Sequence, residues 1–187
     1  MENNPEHVCP WWVGYLLASP IRKIMQNPKK ILKTYIKEGM TILDFGSAMG
    51  FFSLPMAELA GKTGKVVCVD LQIKMLDSLQ KRAVKQNLAD RIETRQCTQD
   101  SLMINDLKGK IDFALAFAVM HETPDQKKVF VQIYDSLKKG GTLFIAEPAG
   151  HVSKDAFAIT LSLALEAGFK FAYNPKTNRS FSAILKK

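Results

Sequence analysis

The chain has 187 residues, 47% of them hydrophobic, and carries a formal net charge of +8. That length suits one domain with a sizeable core, and no apolar run approaches the roughly 20 residues needed to cross a bilayer. Three cysteines, Cys9, Cys68 and Cys97, are widely spaced, match no metal-ligand pattern and leave an odd thiol, which argues against a disulfide scaffold.

Residues 1–38 precede the first strand pattern. They contain Trp11, Trp12 and Tyr15, and Pro20 and Pro28 divide them into short helical pieces that end in a helix near 28–36. The apolar run 11–18 lacks a basic start and a cleavage site, so a cytoplasmic address is expected. The first strand is Thr41 to Phe45, and the loop Gly46-Ser47-Ala48-Met49-Gly50 leads from it into a helix over 52–60. Then follow a strand at 65–70, a helix at 74–87, a strand at about 92–96, a strand at 111–117, a helix at 124–138 stopped by Gly140-Gly141, and a strand at 142–146. A helix at 154–167 is followed by two strands, 169–173 and 181–186, joined by a polar loop with Asn and Pro, so these two should be antiparallel. Strands alternating with helices argue for a parallel α/β sheet. The lysines fall mostly on helix faces and helix ends and read as solvated faces, although the charge still favours anionic partners in a general way.

The loop after the first strand narrows the chemistry. A dinucleotide fold wants G-x-G-x-x-G, and here those positions would be Gly46, Ala48 and Phe51, where a phenylalanine cannot stand in for the third glycine. The pattern Asp44-x-Gly46-x-Ala48-x-Gly50 instead resembles motif I of the class I S-adenosylmethionine-dependent methyltransferases. The resemblance covers about 31–187 and implies a Rossmann-like, seven-stranded, mostly parallel sheet of order 3-2-1-4-5-7-6. In that fold the last strand is antiparallel and helices cover both faces. It divides the chain into an N-terminal arm or lid, 1–38, and a cofactor-binding catalytic core, 39–187, within a single domain.

The implied cofactor is S-adenosylmethionine, with S-adenosylhomocysteine as product. Ligands of open α/β sheets sit at the carboxyl ends of the strands, so Asp44, Gly46, Ser47, Ala48 and Gly50 should pass under the methionine part. Asp70 ends the second strand 20 positions after Gly50, where a carboxylate can accept from two ribose hydroxyls; the alternative is a cap for the next helix. Leu71 packs against adenine in this scheme, Cys97 and Thr98 lie beside it, and Phe117 lines the pocket under the sulfonium. Thr98 and Asp100 both remain open as the adenine contact.

Methyl transfer needs a base only when the nucleophile begins protonated. His121, after the fourth strand, and Glu147, after the fifth, are the catalytic candidates, with His151 beyond them on the substrate side. Trp11, Trp12 and Tyr15 belong either to a lid over the substrate or to a staple or dimer contact. Two histidines and two glutamates match no metal motif at this spacing, and no metal is expected. The fourth strand ends Ala116-Phe117-Ala118-Val119 rather than N/D-P-P-Y/F, which disfavours amino methylation of nucleic-acid bases. Arsenic methyltransferases need several cooperating cysteines, and Cys68 lies mid-strand. The expected activity is methyl transfer to a small-molecule acceptor by a monomer or homodimer. An RNA or protein methyltransferase, or a non-enzymatic cofactor-binding module, is the alternative.

Overall fold

The computed structural model describes residues 26–187. The elements of residues 1–25, and with them Trp11, Trp12 and Tyr15, lie outside the described residues. Among the described residues the chain runs α1 (Pro28–Leu32), β1 (Thr41–Phe45), α2 (Ser53–Leu59), β2 (Lys65–Asp70), α3 (Ile73–Lys85), β3 (Ile92–Gln96), β4 (Ile111–Phe117), α4 (Gln126–Ser136), β5 (Leu137–Pro148), α5 (Lys154–Glu166), β6 (Lys170–Tyr173) and β7 (Ser180–Lys186). The strands form one seven-stranded sheet of order β3-β2-β1-β4-β5-β7-β6. All pairings are parallel except β5 with β7 and β6 with β7.

The pleat sorts each strand between two cores. Leu43, Phe45, Val67 and Val69 join Phe130 and Ile133 of α4 and Phe157 and Ala164 of α5 on one face. Ile42, Val66, Cys68, Phe113 and Leu115 join Leu32, Met56, Leu79 and Ala83 of α1 to α3 on the other. Both faces are covered, so the central strands are buried nearly end to end, and this is why they read as continuous apolar runs. In α3 the buried Met75, Leu76, Leu79 and Ala83 recur at helical spacing along one stripe.

Two elements differ from the sequence expectation. α4 ends at Ser136, ahead of Gly140-Gly141, and β5 begins at Leu137 and runs to Pro148. Leu137 pairs with Ile111, the register then shifts, and pairing resumes at Phe113 with Thr142. Gly140, at φ 78°, turns inside this irregularity rather than capping the helix. α4 is capped by Asp125, whose Oδ1 accepts from the Lys128 N–H at 2.9 Å.

Strand order reverses between β1 and β4. Their carboxyl ends therefore diverge into a crevice, the usual ligand position of an open α/β sheet.

Candidate active site

The crevice is a cavity of about 850 Å³. Its lining includes Asp44, Gly46, Ser47, Ala48, Asp70, Leu71, Cys97, Thr98, Phe117, His121 and His151. The topology thus brings together residues scattered over more than half the chain. Gly50 and Glu147 are buried behind the lining. Asp100 lies outside it and accepts from Lys128 Nζ at 3.1 Å, so of the two adenine-side candidates Thr98 is the one at the cavity. The Thr98 hydroxyl itself accepts from the N–H groups of Asp100 and Ser101, which folds this turn.

The loop after β1 has the shape a close ligand needs. Gly46 lies at φ 73°, and a Cβ there would sit 2.5 Å from Val119 Cγ2. Gly50 lies at φ 83° against Leu79 and Leu54. Ala48 takes φ 45°, a conformation in which a side chain is strained. It is held there by its own N–H, which donates to Asp70 Oδ2 at 2.9 Å. The other Asp70 oxygen accepts from the Gln72 N–H at 2.9 Å, at the start of α3. Asp70 therefore closes the turn ahead of α3, whose N-cap Gln72 has no side-chain cap hydrogen bond, and it also clips the β1 loop. Each oxygen keeps a lone pair for a ligand hydroxyl. Burial pushes the Asp70 carboxyl up from its ordinary value, against the pull of these N–H donors. Arg82 of α3 donates to the Met49 carbonyl and secures the loop from behind.

Asp44 is buried and accepts from Ser53 Oγ at the start of α2. Burial, with the nearby Asp70 charge adding to it, pushes its carboxyl up to about 7, and the Ser53 hydrogen bond only moderates this. The hydroxyl of Ser47 is buried with no hydrogen-bond partner among the described residues. An orphaned hydroxyl, a glycine cradle that a Cβ would fill and a carboxylate with spare lone pairs together fit a polar cofactor such as S-adenosylmethionine. Cys97 lines the cavity beside Thr98, with its thiol pushed up to about 11 by burial, and the Cys68 thiol, buried in β2, is held well above its ordinary value. Neither is a thiolate near neutral pH.

At the other end of the crevice β4 and β5 pair in parallel, Phe117 beside Ala146, so the residues that follow them meet. Glu147 is 1% exposed. Its Oε1 accepts from the Met120 N–H at 2.8 Å, and its Oε2 takes Nδ1 of His121. A carboxylate already serving as acceptor to a backbone N–H places the imidazole proton on Nδ1, which leaves Nε2 as the free lone pair. The Glu147 hydrogen bond raises the His121 pKa above 6.5, helped by the charges of Glu147 and Glu122 and opposed by burial. Glu122 Oε1 lies 3.8 Å from Nε2. The His151 ring stacks near His121 with centroids 6.3 Å apart.

Several lining residues are not legible in the sequence. Phe51 and Phe52 turn into the crevice, and Phe52 lies against Phe117 with ring centroids 4.4 Å apart; adjacent aromatics after Gly50 read as helix core. Gln26, Glu122, Asn178 and Arg179 also border it. The last two lie between β6 and β7, and only the antiparallel insertion of β7 beside β5 carries them to the site.

A family model described as a methyltransferase domain matches residues 36–179. An arsenite methyltransferase of Halobacterium salinarum is 28% identical over 121 residues, which is 65% of this chain and 30% of that protein. A ubiquinone/menaquinone biosynthesis C-methyltransferase of Escherichia coli is 27% identical over 113 residues, 60% of this chain and 44% of that protein. The matched part thus spans less than half the length of either curated relative. A solved S-adenosylmethionine-dependent methyltransferase from Aquifex aeolicus superposes with a TM-score of 0.85 at 21% identity, covering 96% of this chain and 99% of that one.

Proposed function

We propose, from the premise that the chain belongs to the class I S-adenosylmethionine-dependent methyltransferases, that it methylates a small-molecule acceptor with His121 as the proton acceptor. The observation that carries this is the single crevice that runs from Asp70 to His121 with a volume of about 850 Å³. That volume lies within the range of about 300–1,000 Å³ typical of small-molecule pockets. Among the described lining residues Arg179 is the sole lysine or arginine. Five other basic residues, Lys29, Lys65, Lys127, Lys128 and Lys138, pair with Glu58, Glu93, Glu166, Asp100 and Asp112. Among the described residues no run of lysines or arginines lines the site, which disfavours a nucleic-acid acceptor. Relatives named for arsenite and for a quinone support a small acceptor. The raised thiols of Cys68 and Cys97 favour a carbon, oxygen or nitrogen nucleophile over one held by thiolates.

Bound in the crevice, S-adenosylmethionine supplies a methyl group already activated on a sulfonium. In the proposed assignment Asp70 holds the ribose, the loop 46–50 with Ser47 and Asp44 holds the methionine part, and Leu71, Cys97 and Thr98 border the base. His121 Nε2 takes the proton of the acceptor as the new bond forms, and Glu147 stabilises the imidazolium while fixing the ring. Phe51, Phe52 and Phe117 keep water from the reacting centre. Residues 39–187 are the catalytic core and 1–38 an arm across its opening, as the position of Gln26 on the cavity wall supports.

The test is S-adenosylhomocysteine release from a panel of small phenols, amines, quinols and carbon acids, run with wild type and His121→Ala. The expected result is turnover of at least one class, reduced about 10²- to 10⁴-fold in the variant. Turnover confined to RNA or protein would sink the small-acceptor assignment, and an unaffected variant would sink the base.

A further inference from the structure

We infer that the acceptor is an acid, and that Arg179 binds its carboxylate at the rim of the crevice while the reacting atom faces His121; this rests on the small-acceptor function proposed above. Arg179 borders the cavity, and its guanidinium makes no ion pair with any carboxylate among the described residues. A cation at the wall of a small-molecule site, with no carboxylate partner among the described residues, is provision for an anionic ligand.

The backbone around Arg179 is built to present it. Thr177 Oγ1 donates to the Ser180 carbonyl at 3.0 Å and lies 2.9 Å from Ser182 Oγ, and Ser182 Oγ donates to the Pro175 carbonyl at 2.7 Å. The Ala149 N–H, two residues beyond Glu147, donates to the Arg179 carbonyl at 2.9 Å. The turn is thereby tied both to itself and to the end of β5. Arg179 also takes φ 56°. That left-handed position suits glycine or asparagine, and Asn178 stands next to it in the chain. An arginine held there against its backbone preference points to a use for the side chain.

Topology sets the scale of the ligand. Arg179 immediately precedes β7, which lies two strands from β4 and three from β1. At about 4.8 Å per strand these separations are about 10 and 14 Å. The guanidinium therefore belongs to the acceptor half of the crevice rather than the cofactor loop. Arg179 and His121 line the same cavity, which suits a small acid whose carboxylate meets the guanidinium while its reacting atom faces His121. Arg179 is then a specificity-determining residue, and arginine fits the role better than lysine because its planar fork matches a carboxylate.

The experiment uses matched pairs of small molecules, hydroxybenzoates and aliphatic hydroxy acids with their primary amides, assayed with the full chain. Wild type should turn over acids with kcat/KM about 10- to 100-fold above their amides. Arg179→Gln should collapse that ratio towards one through a loss on the acids, and Arg179→Lys should restore part of it. S-adenosylhomocysteine titration of each variant is the folding control. Equal use of acids and amides by wild type overturns the inference and leaves the small-acceptor function standing. So does a variant that loses S-adenosylhomocysteine affinity instead of acid preference, since Arg179 would then serve the cofactor. Cofactor binding with no turnover of any acid or amide overturns the inference, and turnover on the wider acceptor panel described above then decides the small-acceptor function separately.

Discussion

Gly46 shows how narrow the tolerances of the cofactor loop are. An added methyl at φ 73° would meet both the strained backbone and Val119, 2.5 Å away. Gly46→Ala should therefore destabilise the protein by about 2–3 kcal/mol, read by urea unfolding, and should weaken S-adenosylhomocysteine binding; a neutral variant would mean that the loop adapts. Asp44 makes a different demand. Its carboxyl is raised to about 7 by burial, whereas in the unfolded chain it titrates near its usual value, about 4. Between those values the folded state holds a proton that the unfolded state has released, so this group makes stability fall as pH rises through that window. Asp44→Asn keeps an acceptor for Ser53 Oγ and removes the buried charge. It should flatten the pH dependence of the melting temperature between about pH 4 and 7 and leave the variant the more stable protein at pH 8. An unaltered pH profile would show that Asp44 is an ordinary ionised carboxylate. Asp44 and Asp70 were both legible as crevice residues because each lies at or next to the carboxyl end of an apolar strand. That Asp70 holds both the turn before α3 and the β1 loop was not, because one carboxylate reaching Ala48 and Gln72 is a matter of folded geometry.

Among the elements, the parallel pairing of β4 with β5 creates the His121–Glu147 pair. The hydrogen bond to Glu147 raises His121 above 6.5. The pair thus contributes stability that is fully present below the ordinary histidine value and is lost as pH rises through the raised one. In the proposed mechanism catalysis depends on the same titration in the opposite sense, since only neutral His121 accepts a proton. Activity should climb with pH through a limb above 6.5. Glu147→Gln should move that limb downward and lower the plateau, and NMR titration of His121 checks the shift directly. The variant also leaves an amide N–H facing a donor, at a stability cost of about 1–3 kcal/mol. A limb that stays in place would remove Glu147 from the mechanism. The strands themselves were readable because burial on both faces makes them apolar throughout. β5 was underread: Leu137 to Gly141 contains two lysines and two glycines, and tertiary pairing of Leu137 with Ile111 overrides their poor strand propensity. The cap of α4 falls to Asp125 because its side chain is the one that reaches the Lys128 N–H.

For the whole molecule, cofactor binding and folding are linked. Ligand at 100 times its dissociation constant adds about 2.7 kcal/mol of stability. For a chain of this size each kcal/mol moves the melting temperature by about 2–4 °C. S-adenosylhomocysteine should therefore raise the melting temperature by about 5–10 °C, and Asp70→Ala should abolish the shift, as thermal denaturation with and without ligand would show. A shift that survives in the variant would place the ribose elsewhere. The net charge of +8 shapes this molecule less than its size suggests. Among the described residues five lysines pair with acids on the surface, and Lys187 donates to the carbonyls of Tyr134, Asp135 and Leu137 around the end of α4. No helix among the described residues is long and apolar enough to cross a membrane.

The order of strands and helices, the parallel core, the terminal hairpin and the cofactor loop were all determined by the sequence itself, because each is a local matter. Burial on two faces writes apolar runs, amphipathic helices write their stripe, and a backbone that must turn beneath a ligand writes glycine. The proton on Nδ1 of His121, the double duty of Asp70 and the arrival of Arg179 at the crevice were decided by tertiary structure alone. Each brings together groups that are distant in the chain, and no periodicity or propensity encodes which strand ends will become neighbours in space.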